Sequence, residues 1–511
     1  MSYDPEKTIG DDVKKSNDSF EKSLEGNSAT AEVSSEKLNF IDRLASKLNA
    51  ETKGIELVTD EEKTDTSIAN VFTMWLSANL VIATFSLGMI GVTVFHLSFW
   101  QCVLVIIFFN IMGGFSVAFF STFGPKLGLR QMILSKFLIG DLATRIFCII
   151  NVVACIGWGA VNIMSSAQLL HIVNNGTLPP WAGCLILVVC TILVTFFGYH
   201  VIHLYEKWSW VPNAVVFIAI IARMAMNGRF QAGEMIGGQT TAGNVLSFGG
   251  AIYGFATGWT TYASDYTVYQ PRNVSAWKIF FYIFAGLLFP LLFTMILGAA
   301  CASGIRFNDV NDTWGKDSVG GLVFDILVTD SLHGFGQFLC VLLALSTVAN
   351  NIPNMYSMAL SAQAAWSPFS KIPRVFWTIA GNFVTLAICI PAYYHFESVM
   401  ENFMNLIAYY LAIYQAIAYA EHFITNKGRF SAYDYANFHD KRVYPMGIAG
   451  TFAFCCGVAG VVLGMNQVWY SGVIGRKIGD FGGDIGFEMG FAFAFISYNI
   501  VRPFEKKYTG R

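Results

Sequence analysis

Charged side chains are scarce: 13% of the 511 residues are Asp, Glu, Lys or Arg, about half the ~25% of ordinary soluble chains. A soluble surface of this size needs more charge than that. The ten cysteines include no C-x-x-C pair, and the eight histidines no H-E-x-x-H. These absences leave no zinc site and no metal or cofactor to expect. The cysteines sit mostly in apolar runs and read as small hydrophobes, not as a disulfide framework. No basic stripe runs along the chain, which argues against a nucleic-acid partner. A membrane-embedded enzyme would need charged or metal-binding loop motifs, and none is found, so the chain reads as no enzyme.

What is present is apolar. Hydrophobic residues make up 54% of the chain and include 45 Phe. The low charge is also unevenly spread. Residues 1–67 carry 9 basic and 16 acidic side chains, whereas the other 444 carry 23 and 18. The first 67 residues therefore read as an acidic, largely disordered tail. Its lysines and serines make it a candidate for ubiquitylation or trafficking machinery. The first apolar run begins only near Ile68, so no signal peptide is expected.

Twelve apolar segments are long enough to cross a hydrocarbon core of ~30 Å, with the lipid bilayer as partner. They lie near 68–95, 98–120, 138–170, 181–200, 208–226, 246–266, 276–300, 333–363, 374–393, 399–423, 444–466 and 485–503. Alternate connections hold 17 and 6 Lys+Arg when the C-terminal residues 504–511 and Arg502 are counted with the first set. That asymmetry places both termini in the cytoplasm. Two sequons, Asn175-Gly176-Thr177 and Asn311-Asp312-Thr313, then fall outside.

Two spans contain glycine clusters at mid-depth. Span 1 carries Ser86-Leu87-Gly88-Met89-Ile90-Gly91, and span 6 carries Gly249-Gly250 followed by Gly254-Phe255-Ala256-Thr257-Gly258-Trp259. Gly88, Gly254 and Gly258 are read as helix breaks. The two clusters lie five spans apart, an odd number. Residues 246–423 (spans 6–10) would then repeat residues 68–226 (spans 1–5) upside down, a recurrent transporter plan. Spans 11 and 12, residues 444–503, stand outside the repeat.

Polar residues concentrate in spans 3 and 8. Trp158 and Asn162 are four apart and share a helix face. Span 8 carries Ser346-Thr347-Val348-Ala349-Asn350-Asn351-Ile352-Pro353-Asn354. Thr347, Asn351 and Asn354 share a face, and Pro353 deprives the Ala349 carbonyl of its helical partner. Asparagines inside an apolar span are costly unless satisfied. A carboxamide offers two donors and an acceptor in one plane. Trp158 and Trp259 offer stacking faces. Spans 1, 3, 6 and 8 have no acidic residue at mid-depth. The site therefore suits a neutral, planar, polar solute.

These motifs are similar to those of the fungal purine-cytosine permeases, of the nucleobase:cation symporter family. The resemblance covers about residues 55–505. It is carried by Ser86-Leu87-Gly88, Gly157-Trp158-Gly159-Ala160-Val161-Asn162, Gly258-Trp259 and Asn350-Asn351-Ile352-Pro353-Asn354. It implies an all-α membrane protein of LeuT-like fold, with 5+5 inverted helices plus two. It implies nucleobase uptake (cytosine, adenine, guanine or hypoxanthine) with a proton across the plasma membrane. By position, Trp158 and Trp259 would stack on the base, Asn162, Asn351 and Asn354 would hydrogen-bond it, and Ser86 would line the span 1 break. Glu206 matches a position that affects transport and is a candidate proton carrier. Ser346 and Thr347 stand where sodium-driven members place hydroxyls, so sodium is not excluded as coupling ion. A permease of the same fold for vitamin B6 or allantoin is the rival reading.

Overall fold

The computed structural model describes residues 54–196 and 199–511; residues 1–53 of the expected tail lie outside the described residues. The described chain is almost wholly helical. Its helices are α1 (Ile68–Asn79), α2 (Ile82–Thr93), α3 (Phe99–Ser121), α4 (Phe123–Leu127), α5 (Gln131–Ile139), α6 (Asp141–Val173), α7 (Pro180–Phe196) and α8 (Tyr199–Asn227). There follow α9 (Gln239–Thr257), α10 (Ala276–Ala302), α11 (Val319–Leu327), α12 (His333–Ala344), α13 (Ser346–Ala365), α14 (Arg374–Ala392), α15 (Phe396–Tyr419), α16 (Ile448–Gly464) and α17 (Gly486–Thr509). A two-residue hairpin, Asn466–Gln467 with Tyr470–Ser471, lies between the last two.

Among the described residues, six helices are long and apolar enough to cross a membrane. The pair Ala69–Asn79 and Ile82–Thr93, bent by 52°, makes a seventh when counted as one span. Other expected spans correspond to shorter or less apolar helices, such as α7, α9, α16 and α17. Helix α6 packs along α13, α10 along α1 and α2, and α9 along both α3 and α15.

The chain leaves the helical path in span 1 at Leu80 and Val81, whose φ/ψ are −86/64° and −136/162°. Ser86 and Gly88 are not part of that break. They lie inside the continuous helix α2, where the Ser86 hydroxyl donates to its own helix at Ile82 O (2.9 Å). Gly88 serves close packing: a Cβ there would meet Met295 O at 1.9 Å. The same correction holds for Gly254, inside α9, whose Cβ would meet Met404 O at 2.0 Å. Pro353 likewise stays within the uninterrupted α13, and its carbonyl accepts from Tyr266 Oη at 2.6 Å. Only Gly258 stands at a helix end. Helix α9 stops at Thr257, and a 3₁₀ segment, Thr260–Tyr266, carries the chain on.

The last part of the expected tail packs on the bundle. Val58 N donates to Gly128 O (2.9 Å) and Asp65 N to Tyr269 O (3.1 Å). Lys63 Nζ is buried between Pro125 O and Asp60 Oδ1, both at 2.9 Å. Burial pushes this ammonium below the ordinary lysine value, and the Asp60 contact opposes that.

Two charged side chains near the ends of spans 6 and 10 are buried. Asp265 is 3% and Glu421 2% exposed. Glu421 takes a bidentate pair from Arg502 (2.9 Å and 2.9 Å) and a third bond from Tyr498 Oη (2.9 Å). One turn on, Glu505 accepts from the backbone N–H groups of Gly447, Ile448 and Ala449 at 2.8–3.2 Å, capping the start of α16. These bonds tie span 10 to span 12 and span 12 to span 11. Arg502→Ala strands the Glu421 charge and is expected to cost about 3–5 kcal/mol. The check is the thermal midpoint in detergent, which must fall further for Arg502→Ala than for Arg502→Lys; equal midpoints would contradict it.

Candidate functional site

Helices α6 and α13 bury a run of carboxamides between them. Asn162 Nδ2 donates to Asn350 Oδ1 (2.7 Å) and to Asn351 Oδ1 (2.8 Å). Asn350 Nδ2 donates onward to Ala78 O (2.5 Å), at the end of α1. Asn354 Nδ2 donates to Cys155 O (2.7 Å), and its Oδ1 accepts from Tyr262 Oη at 3.5 Å. Ser346 Oγ accepts from Ile82 N (3.1 Å), and Thr347 Oγ1 shares a hydrogen bond with Ser166 Oγ (2.8 Å). Spans 1, 3, 6 and 8 thus meet at one set of side chains, all of them uncharged.

The reason lies in the backbone. The break at Leu80–Val81 frees a carbonyl before it and an N–H after it, in a place without water to satisfy them. Asn350 takes the carbonyl and Ser346 takes the N–H. Span 8 therefore needs polar side chains one turn apart, which is what Ser346 and Asn350 are.

Aromatic rings close the site on two sides. Trp259 Nε1 donates to Asn79 Oδ1 (3.1 Å), and its ring meets Trp75 edge-on at 5.2 Å and Tyr262 at 5.4 Å. Trp158 meets Phe255 edge-on at 5.0 Å and Phe403 at 5.9 Å. Gly258 leaves room for Trp158, since a Cβ there would lie 2.6 Å from its Cζ2. Trp158 and Trp259 are both buried, at 4% and 3% exposure.

Three polar atoms of this site have no hydrogen-bond partner among the described residues: Trp75 Nε1 on α1, and a pair on α6, Trp158 Nε1, a donor, and Asn162 Oδ1, an acceptor. The last two matter most. They belong to residues one turn apart on α6. A buried unpaired donor or acceptor costs about 1–3 kcal/mol, so a matched pair on one face is a strong preference for a solute presenting the opposite pattern.

Of the residues singled out from the sequence, Trp158, Asn162, Trp259, Asn350, Asn351, Asn354, Ser346, Thr347 and Gly258 come together. Ser86, Gly88, Gly254 and Pro353 serve packing or their own helix, as above. The side chain of Glu206, on α8, lies outside the described residues. Asn79, Trp75 and Tyr262 were missed. Asn79 could have been found, as an amide deep in the apolar run of span 1. Asp265 is also buried nearby: it accepts from Gln131 N (2.7 Å) and Ser357 Oγ (2.9 Å), while Arg130 Nη1 donates to its backbone oxygen (2.8 Å). This knot joins the α5 segment to spans 6 and 8.

Known proteins match this arrangement in sequence and in fold. The family described as permeases for cytosine/purines, uracil, thiamine and allantoin matches residues 57–475. Purine-cytosine permease FCY2 of Saccharomyces cerevisiae is 58% identical, over 93% of this chain and 90% of its own length. Purine-cytosine permease fcyB of Emericella nidulans is 48% identical over 92% of each. Vitamin B6 transporter TPN1 of S. cerevisiae is 27% identical, over 91% of this chain and 89% of its own. In fold, the chain is similar to Mhp1, a nucleobase-cation-symport-1 family transporter solved in a closed conformation with bromovinylhydantoin. The TM-score is 0.66 at 14% identity, covering 90% of this chain and 95% of that one. The chain is therefore a multi-pass membrane protein and no enzyme, and it belongs to the family of permeases for cytosine and purines, among the fungal purine-cytosine permeases.

Proposed function

We propose that this permease imports nucleobases, cytosine and purines such as adenine, guanine and hypoxanthine, together with a proton. The path is alternating access across the plasma membrane, through twelve spans built as 5+5 inverted helices plus two, with both termini cytoplasmic. The observation that carries the substrate class is the unpartnered pair Trp158 Nε1 and Asn162 Oδ1, with the buried Trp259 as the ring left to stack. A nucleobase presents a donor beside an acceptor in one plane and a face to stack on. Neither a zwitterion nor a phosphate suits a set of uncharged side chains. The vitamin B6 reading rests on the 27% match to TPN1; the 48–58% matches to purine-cytosine permeases favour the nucleobase.

The same contacts support a proton as the coupling ion. A sodium ion between spans 1 and 8 would need free carbonyl and hydroxyl oxygens. Here Ala78 O already accepts from Asn350, Ser346 Oγ from Ile82 N, and Thr347 is bonded to Ser166. Internal hydrogen bonds stand where a cation would, which supports the proton. The lysines of residues 1–53 are proposed as ubiquitylation sites.

Three outcomes are expected. Radiolabelled cytosine uptake falls to the background level on adding a protonophore and is unchanged when choline replaces sodium; sodium dependence would sink the coupling assignment. Asn351→Ala abolishes uptake while surface abundance stays normal, because it removes one of the two acceptors that orient Asn162; full uptake at normal abundance would refute the site. Trp259→Ala weakens cytosine affinity by about 10-fold or more, whereas Trp259→Phe keeps a stacking face and loses less. Competition with unlabelled cytosine measures both, and equal losses would argue against stacking.

A further inference from the structure

A second polar cluster lies apart from the nucleobase site, where α15 meets α9 and the start of α17. Asp484, in the connection before α17, is 1% exposed. It accepts from Asn466 N (2.8 Å), Gln467 Nε2 (2.7 Å), Gly486 N (2.9 Å) and Tyr409 Oη. Its own N–H donates to Ser247 Oγ on α9 (3.0 Å). Glu401 and Glu488 both lie within electrostatic reach of this carboxylate.

Two observations set the cluster apart from a packed polar patch. Glu488 Oε2 is buried and has no hydrogen-bond partner. Asn405 is 1% exposed, and neither its Oδ1 nor its Nδ2 has a partner. Glu401, Asn405 and Tyr409 follow at i, i+4 and i+8, so they share one face of α15. That face looks onto α9 and α17. A Cβ on Gly250 would lie 2.7 Å from Asn405 Oδ1 and 3.9 Å from Phe487, the neighbour of Glu488. Tyr409 reaches Gly486 and Asp484 on the same side.

No cation balances these acids. None of the three carboxylates is in a salt bridge among the described residues. The facing titratable groups are Tyr409 on α15 and Tyr253 on α9, with Glu397 one turn before Glu401. Arg476 and Lys477, in the connection that carries Asp484, are exposed. Crowded carboxylates without a counter-cation cannot all stay ionised cheaply. The oxygens of Asp484 are already taken up by donors, whereas Glu488 keeps a buried free oxygen.

The geometry points to Glu401 and Glu488, with the unpartnered Asn405 one turn from Glu401, as the site that takes up the coupling proton. It lies at the start of α17, on the membrane side opposite the C-terminus, and it rests on the proton-symport reading above. Protonating one glutamate turns COO⁻ into COOH and removes its like-charge repulsion with Asp484, in the connection before α17. The neutral acid also gains an O–H to offer to the Asn405 carbonyl.

A rail connects this site to the substrate. Gly250, Gly254 and Gly258 follow at i, i+4 and i+8 along span 6. Gly250 faces Asn405, Gly254 faces Met404 O and Ala408 N of α15, and Gly258 faces Trp158. The distance along the helix is roughly 12 Å. A shift of α15 on protonation is thereby carried without slack to the tryptophan beside the base, because both ends lean on the same glycine face.

The experiment is transport by the full chain in proteoliposomes. Glu401→Gln and Glu488→Gln are each expected to keep cytosine counterflow and to lose both proton-driven accumulation and cytosine-induced proton flux. If both variants retain wild-type proton flux, or if Glu206→Gln alone abolishes it, the site is overturned while symport stands. If the wild-type chain shows no cytosine-linked proton flux, the symport reading itself fails. Should a glutamine variant not fold, Glu401→Asp and Glu488→Asp keep a carboxyl in the cluster. Either aspartate is expected to shift the pH of half-maximal uptake, and an unchanged pH profile in both overturns the site.

Discussion

A broken helix inside a membrane leaves backbone groups that water cannot reach, and each must find a partner or cost several kcal/mol. In this permease that constraint organises the centre of the bundle. The Leu80–Val81 break is tolerated because Asn350 and Ser346 of span 8 bond the freed carbonyl and N–H. Asn350 and Asn351 are in turn held by Asn162 of span 3, and span 6 enters through Trp259 and Asn79. One need therefore accounts for polar residues on four different spans. It also gives a physical reason for the substrate site proposed there. A region already built from fixed donors and acceptors is the one place in an apolar bundle where a polar solute can exchange water for protein without loss.

The glycines obey a different rule. Most are not flexible points. Gly88, Gly254 and Gly298 each bring their helix against the backbone of a neighbour, with Met295 O, Met404 O and Phe85 O inside the space a Cβ would fill. Such contacts let whole helices touch closely, as small residues do in membranes. The result is a set of rigid rails, and movement must come from the segments between them. In span 6 that is the Gly258–Trp259 step and the 3₁₀ turn beyond it.

This distinction marks what could be read from the sequence and what could not. The polar constellation was legible because asparagines in an apolar span are expensive and so rarely idle: Asn162, Asn350 and Asn351 enter one bonded cluster, Asn354 bonds Cys155 O and Tyr262 beside it, and Trp158 packs one turn from Asn162. The end of helix α9 at Gly258 was legible too. The break in span 1 was placed at Gly88, seven residues beyond Val81. Glycine was taken as its signal, yet the chain breaks at Leu80–Val81, which carry no glycine, because the compensating groups belong to span 8. A partner more than 260 positions away leaves no local trace. Asp265 and Glu421 are buried by partners that are also remote in the sequence: Gln131, Ser357 and Arg502 fold over them from distant parts of the chain.

Charge is thus not absent from the bundle but excluded from its middle. The neutral site is flanked on one side by Asp265 with Arg130 and Gln131, and the Glu421–Arg502 pair lies toward the C-terminal end of span 12. Near the opposite end stand Glu401, Asp484 and Glu488. This separation has a physical use. A full charge beside the base would bind it through a long-range, weakly directional force and would favour charged competitors. Fixed amides and indoles discriminate by direction, since a solute with the wrong edge leaves Trp158 Nε1 and Asn162 Oδ1 unpaired. On the proposed reading, carboxylates kept at a distance answer to protons and to neighbouring helices instead. Recognition and energy coupling would then rest on different chemistries, connected through the packing of spans 6 and 10.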